Sequence, residues 1–305
     1  MIPVFLLFWI VTAVILMREK RAVRLIIVLG IYSLITAVCF FLLAAPDVAM
    51  AEAVVSAFST ILFIVCFEKY YSNVAPDKKT RPKTKAGSRW IPLGFTVVLA
   101  ALFILLIPEQ TPVTYLKDMY MAMFSSEIGA KNAVTAIYLG YRMYDTLFEA
   151  LLLLVSIVAV VHLSHHDDEA VSEETPSGVS DSNIVGVTIR VICPMLILLS
   201  LYLIANGHIS PGGGFHGGVV AAAFFVCRYM IYGITDMRID KVVVTEKLVF
   251  LAIVVFSVYF IFLGAQSFLP IPKEIYLICI NLLLGVKVAC GFFIVFYRFI
   301  AFERR

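Results

Sequence analysis

Charge is scarce in this sequence. Acidic and basic residues fill only 15% of its 305 positions, where a soluble chain of this size carries about 25%. That shortage excludes an ordinary soluble domain. Clustered cysteine is missing too. The six cysteines, Cys39, Cys66, Cys193, Cys227, Cys279 and Cys290, sit in or beside apolar runs, and none forms a CxxC. Zinc and iron–sulfur sites need grouped thiolates. The cysteines therefore read as small buried hydrophobes, and any redox centre belongs on another protein. There is no GxxxxGK[ST] phosphate loop and no internal repeat. No cleavable leader is expected, because "MIPVFLLFWIVTAVILM" lacks a basic start and a small-residue cleavage site.

Apolar residues make up 62% of the chain, and mean hydropathy is +0.98. A membrane-crossing helix needs roughly 20 apolar residues. The expected fold is all-α, a polytopic transmembrane protein of nine spans: 2–17, 25–45, 47–67, 90–107, 129–162, 186–206, 212–234, 245–265 and 274–300. The fifth is long enough to tilt or to extend beyond the bilayer. The loops "REKRAVR", "EKYYSNVAPDKKTRPKTKAGSR" and "RYMIYGITDMRIDK" are basic, as is the tail "FERR". Nine spans with the N-terminus outside put all of these on the cytoplasmic face, as the positive-inside rule requires. Lys117, Lys131 and Lys273 fall outside, and Arg142 and Lys287 fall within spans. The acidic inner loop at 165–183 counts little toward topology. Polar linkers at 76–89 and 164–183 split the chain into blocks 1–75, 90–163 and 184–305, which suggests membrane modules fused end to end.

Ionisable residues inside spans cost about 2.5–3.5 kcal/mol on insertion scales and face protein or watery cavities. "AAPDVAMAEAVVSAFST" supplies Asp47, Glu52 and Ser56. Asp47 follows a proline at a helix start and is either a simple cap or a site residue. Glu52 lies deeper, and Ser56 is four residues on. A carboxylate beside hydroxyls can relay protons or hold a dehydrated cation. In "YRMYDTLFEA", Arg142, Asp145 and Glu149 share one helical stripe. Arg142 and Asp145 read as a structural ion pair that locks two helices, with Asp145 also open to a pathway role. Glu149 is left less well neutralised and can exchange protons. Lys287, mid-span in "NLLLGVKVACGFF", is either a proton relay or a counter-ion to Glu149 or Glu52.

"NGHISPGGGFHGGVV", residues 206–220, stands between two apolar runs. "GGGFHG" matches GxGxxG, and Asp236 lies downstream. The dinucleotide fingerprint needs a preceding strand, and here helices flank the motif, so nucleotide binding is excluded. The alternatives are a short loop with interfacial histidines, or a tight re-entry that opens a watery cavity. In the second, Gly207 ends one helix, Pro211 suits the start of the next, and Gly212, Gly213 and Gly214 take unusual backbone angles. Gly217 and Gly218 then admit a close helix neighbour, with His208 and His216 standing in the opening.

Taken together, these motifs resemble a known family. "GHISPGGGFHGG" resembles the "GHxxPGGGFxGG" signature of the B subunit of Mrp-type Na+/H+ antiporters and its counterpart in membrane-bound [NiFe] hydrogenases. "APDVAMAEA" is similar to a small domain at the C-terminal end of the antiporter A subunit, found as a separate protein in the hydrogenases. "NAVTAIYLGYRMYDTLFEALLL" is similar to "NVVxxIxxDxRxxDTxxE", which follows that domain in the family. The resemblance implies a three-span MbhD-like hydrogenase module at 1–75, a two-span MbhE-like module at 90–163, and a four-span MrpB/MnhB-like module at 184–305. It implies a non-redox subunit of a cation/proton-translocating complex in the cytoplasmic membrane. The carried-over residues are Asp47, Glu52, Arg142, Asp145, Glu149, His208 and Lys287. Implied partners are antiporter-like membrane subunits and peripheral hydrogenase or Fe–S subunits, with no nucleic acid. No cofactor is expected in this chain. Fe–S clusters and NiFe would sit in the partners, and Na+ or H+ would be the transported ion. Gly140 stands where the family often has Asp, and Glu52 where the antiporter version often has Gln. The second departure tilts the reading toward the hydrogenase-type branch over a stand-alone antiporter, and a purely structural membrane linker stays open as the alternative.

Overall fold

The computed structural model describes residues 2–71, 94, 97–98, 101–102, 114–163, 183–232, 239–262 and 272–301. The described residues form helices and turns, with no strand among them. In chain order the helices are α1 (Ile2–Arg18), α2 (Ala22–Leu42), α3 (Pro46–Tyr71), α4 (Thr114–Ile128), α5 (Ala133–Ala136), α6 (Met143–Leu163), α7 (Asn183–Ala205), α8 (Gly214–Tyr232), α9 (Ile239–Phe262) and α10 (Lys273–Ala301). A π-helical segment, Ile137–Tyr141, joins α5 to α6. Six described helices are long and apolar enough to cross a membrane: α2, α3, α6, α7, α9 and α10. The multi-pass helical fold is as expected. The fourth expected span, 90–107, lies outside the described residues but for a few positions. So do the linker 76–89 and, but for Asn183, the linker 164–183.

Two spans differ from the expectation. The single run 129–162 is broken into α5, the π segment and α6, and α4 precedes it where a loop was expected. The seventh span begins at Gly214, so Pro211 sits in the preceding turn and does not open the helix.

α10 is the centre of the bundle. Of its membrane-length window, 56% is buried, against 17% or less in the other candidate spans. It packs against α8, α9, α6, α7 and α3. Between Glu274 and Arg298 it is free of charge except for Lys287, over roughly 23 residues or about 34 Å of rise. That length matches the bilayer hydrocarbon of about 30 Å and puts Lys287 near mid-depth. One apolar cluster joins Leu139, Met143 and Ala150 to Ile253, Leu277 and Ile280. A second joins Phe58 of α3 to Val219 and Ala222 of α8 and Val288 of α10. α1 and α2 lie to one side, held by a Trp9 Nε1 hydrogen bond to Thr36 Oγ1 at 2.8 Å.

Candidate ion-path site

The glycine stretch is a recessed turn. α7 ends at Ala205, and α8 starts at Gly214, whose N–H donates to Asn281 Oδ1 at 3.0 Å. Asn281 is seven residues past Glu274, so α8 begins about 10 Å below that end of α10. Its apolar stretch, Gly214–Arg228, covers only about 22 Å and starts inside the bilayer that α10 crosses. Gly212 (φ 146°) and Gly213 (φ 116°) take backbone angles that favour glycine. A Cβ at Gly213 would strike the Tyr138 hydroxyl, and one at Gly218 would meet the backbone of Gly285 at 2.6 Å. At Gly217 the obstacle would be Ile204. These glycines let the turn and α8 press against their neighbours.

Side chains and backbone of the α5 region latch this turn. Lys131 and Asn132 N–H groups donate to the His208 carbonyl at 2.9 and 3.1 Å. Thr135 Oγ1 donates to the Gly207 carbonyl at 2.6 Å. Asn132 Nδ2 donates to both Asp47 Oδ1 (3.2 Å) and the Ser210 carbonyl (3.3 Å). Asp47 stands in the first turn of α3, where the helix dipole favours it, and it also ties α3 to the turn. His208 is buried, with Nδ1 3.1 Å from the Ala205 carbonyl. It is part of the latch and does not stand in an opening.

His216 is placed differently. Its two ring nitrogens are buried, beside the backbone of Asp47 and Gly212, and make no well-formed hydrogen bond among the described residues. It lines a cavity of about 320 Å³ together with Tyr138, Thr146, Glu149, Phe215 and Lys287. Asp47 lies near both His216 and Tyr138, and Glu149 near Tyr138. The π segment shapes this wall. Arg142 N–H donates to the Ile137 carbonyl at 2.7 Å, a five-residue step. The Tyr138 carbonyl accepts from Thr146 Oγ1 at 2.5 Å.

Glu149 carries no hydrogen bond or ion pair among the described residues, and it reaches both the cavity and the exposed face of α6. Arg142 and Asp145 share that exposed face. Their ion pair (2.5 Å) spans one turn, with side chains 64% and 56% exposed. It therefore locks no two of the described helices together. Lys287 is paired with neither expected carboxylate. Its ammonium bonds Glu246 Oε1 of α9, both side chains fully enclosed, and stands 4.9 Å from the Phe250 ring centroid. Glu246 was missed because it sits at the start of the expected span, beside Lys247. Its signal was the buried stripe Glu246, Phe250, Ile253, Ser257 and Phe260, at alternating steps of four and three.

Glu52 does not line the cavity. It accepts a hydrogen bond from Ser33 of α2, while its neighbour Ala51 faces the cavity. Ser56 Oγ donates to its own helix, to the Ala53 carbonyl at 3.2 Å, and does not join Glu52. Thus Glu149, Lys287 and His216 come together, with Asp47 close by, whereas Glu52 stands apart.

Two stretches of the chain match known family models. Residues 184–302 match a domain related to the MnhB subunit of a Na+/H+ antiporter. Residues 7–71 match the MbhD family of MBH. The chain joins an MbhD-like segment to an MnhB-like domain. It is 29% identical over 164 residues to a protein named as antiporter subunit mnhA2 in Staphylococcus haemolyticus, covering 54% of this chain and 20% of that protein. A Staphylococcus aureus (strain JH9) protein of the same name is 28% identical over 156 residues, covering 51% and 19%. The matched part thus spans about a fifth of those relatives' length. The fold is shared with the Mrp complex of Dietzia sp. DQ12-45-1b at TM-score 0.79 and 16% identity, over 99% of this chain and 35% of that one. It is also shared with the archaeal membrane-bound sulfane sulfur reductase at TM-score 0.57 and 23% identity, over 68% and 96%.

Proposed function

We propose that this chain is a non-catalytic membrane subunit of a multisubunit cation/proton-translocating complex, and that Glu149 is the carboxylate its ion path uses. The observation that carries the reading is the Glu149 carboxylate, without a counter-ion among the described residues, on a cavity shared with His216 and Lys287. A carboxylate at this depth takes a cation, a proton or a sodium ion, to offset its lost hydration. The antiporter-subunit relatives and the Mrp and respiratory-complex folds support the same setting. Asp47 and His216 extend the polar file toward the recessed turn. The energy source, a proton gradient or electron transfer in Fe–S and NiFe partner subunits, belongs to the partners and is read from what copurifies in mild detergent.

The test is Glu149→Gln in the full complex, assayed in everted vesicles. Assembly should match the parent, and cation-coupled transport should be lost. Transport at near-parental rates would remove Glu149 from the path.

A further inference from the structure

Lys287 puts a positive charge beside the one cavity that Glu149 needs for a cation. An ammonium and a carboxylate on one cavity attract each other, and that attraction competes with a bound cation. Two observations remove the conflict. Lys287 Nζ is bonded to Glu246 Oε1, with neither side chain exposed. It also stands 4.9 Å from the centroid of the Phe250 ring, one turn along α9 from Glu246. Its charge is thus compensated from α9. Unlike charges so close and so enclosed hold each other strongly, and a buried charge deprived of its partner seeks another. Lys287 and Glu149 line the same cavity, so Glu149 is the carboxylate it would turn to.

We infer that Glu246 is a positioning residue that sets the charge of the Glu149 cavity: by holding Lys287 it leaves Glu149 free to take a monovalent cation. The inference rests on the reading of Glu149 as the path carboxylate. Glu246 touches no transported ion. It acts through Lys287, whose charge is taken up on α9 and not by Glu149. The second Glu246 oxygen, Oε2, is buried without a hydrogen-bond partner among the described residues. The pair is therefore bound through one oxygen only, and stability alone does not account for a charge pair held this way at mid-depth.

The probe is dicyclohexylcarbodiimide, which adds to protonated carboxyl groups in apolar sites and reads Glu149 whichever ion the complex moves. The purified whole complex is labelled at fixed pH, and modification of Glu149 is quantified by peptide mass spectrometry. The parent complex should label at Glu149. Glu246→Gln should lower that labelling about tenfold, because Lys287 turns to Glu149 and keeps it ionised. Glu246→Gln with Lys287→Gln should return it to within about twofold of the parent, because no ammonium remains to claim Glu149. Glu246→Asp, which keeps the charge but shortens its reach, should assemble and give an intermediate loss, and it replaces Glu246→Gln if that variant fails to assemble. Unchanged labelling in the Glu246 variants overturns the proposal. So does a double variant as poorly labelled as the single, or a parent complex that does not label at Glu149. A merely structural pair would change the yield of complex without changing the labelled fraction. If Glu149→Gln still transports, the functional reading fails; if it is inactive and the labelling pattern is wrong, only this inference fails.

Discussion

Gly214 N–H and Asn281 Oδ1 meet at 3.0 Å, and this bond fixes where the bilayer-crossing backbone is interrupted. It satisfies one of the orphan donors at the start of α8 from a fully buried side chain of the central helix. Asn281→Leu leaves that N–H unpaired where water does not reach, at a cost of about 1–3 kcal/mol. The expected outcome is a lower melting temperature for the purified complex. An unchanged melting temperature would mean that the turn finds another acceptor.

Gly213 is the stricter test of the same turn. Its φ of 116° disfavours any side chain, and a Cβ would strike the Tyr138 hydroxyl. Gly213→Ala should reduce the amount of chain in the membrane. Gly186→Ala is the control, since a Cβ there meets nothing within 4 Å. Immunoblotting of membranes for both variants checks this, with loss expected for the first alone.

These two positions also show what was legible in the sequence. The glycine cluster, the proline and the flanking apolar runs left a short loop and a tight re-entry both open, and the bond of Gly214 to Asn281 is what favours the recessed turn. The nucleotide alternative fell to context alone. The π segment was not legible. Ile137–Tyr141 is as apolar as its surroundings, and the extra residue in its turn appears only in the Arg142-to-Ile137 hydrogen bond. The partner of Lys287 was hidden by a boundary. Glu246 lies one residue into the span expected at 245–265, and its neighbour Lys247 made it look interfacial. Arg142 and Asp145 were rightly read as adjacent, but spacing along one helix says nothing of whether the stripe faces inward.

That stripe faces outward, and a prediction follows from its depth. α6 and α10 advance together: Glu149 shares a cavity with Lys287, and a Cβ on Gly291 would meet Ile157. Asp145 and Arg142 are therefore about 6 and 10 Å above mid-depth, on an exposed face. Charges there are costly against lipid tails, so the prediction is that a neighbouring subunit covers them. Arg142→Leu with Asp145→Leu should leave the chain's abundance unchanged and reduce the neighbouring subunits recovered by affinity purification. Full recovery would show that the face meets lipid.

Ser33 and Ser56 separate two views of Glu52. Ser33 donates to the Glu52 carboxylate, whereas Ser56 is engaged with its own backbone. A hydrogen bond to a charged group is worth about 1.5–3 kcal/mol. If Glu52 belongs to the path, Ser33→Ala should slow cation-coupled transport about tenfold, and Ser56→Ala should keep it within about twofold. Equal rates in both variants would take Glu52 out of the path and leave it as a tie between α2 and α3.

Thr146 tests whether the π segment matters to the cavity. A π turn releases a carbonyl from the helical ladder, here that of Tyr138, and Thr146 Oγ1 takes it at 2.5 Å. The same threonine lines the cavity one turn before Glu149. Thr146→Val keeps the volume but removes the hydroxyl, so the Tyr138 carbonyl loses its partner and the regular helix regains its advantage. Closing the π turn removes the extra residue, and everything N-terminal to it rotates by about 100° relative to α6. Tyr138 would leave the cavity wall, and the Thr135 bond to Gly207 would be strained. Thr146→Ser keeps the hydroxyl and should keep the wall. Transport should be largely lost in the valine variant and retained in the serine variant at equal abundance. Retention in both would show that the cavity does not depend on the π turn. Loss in both would assign the effect to the missing methyl group and not to the hydrogen bond.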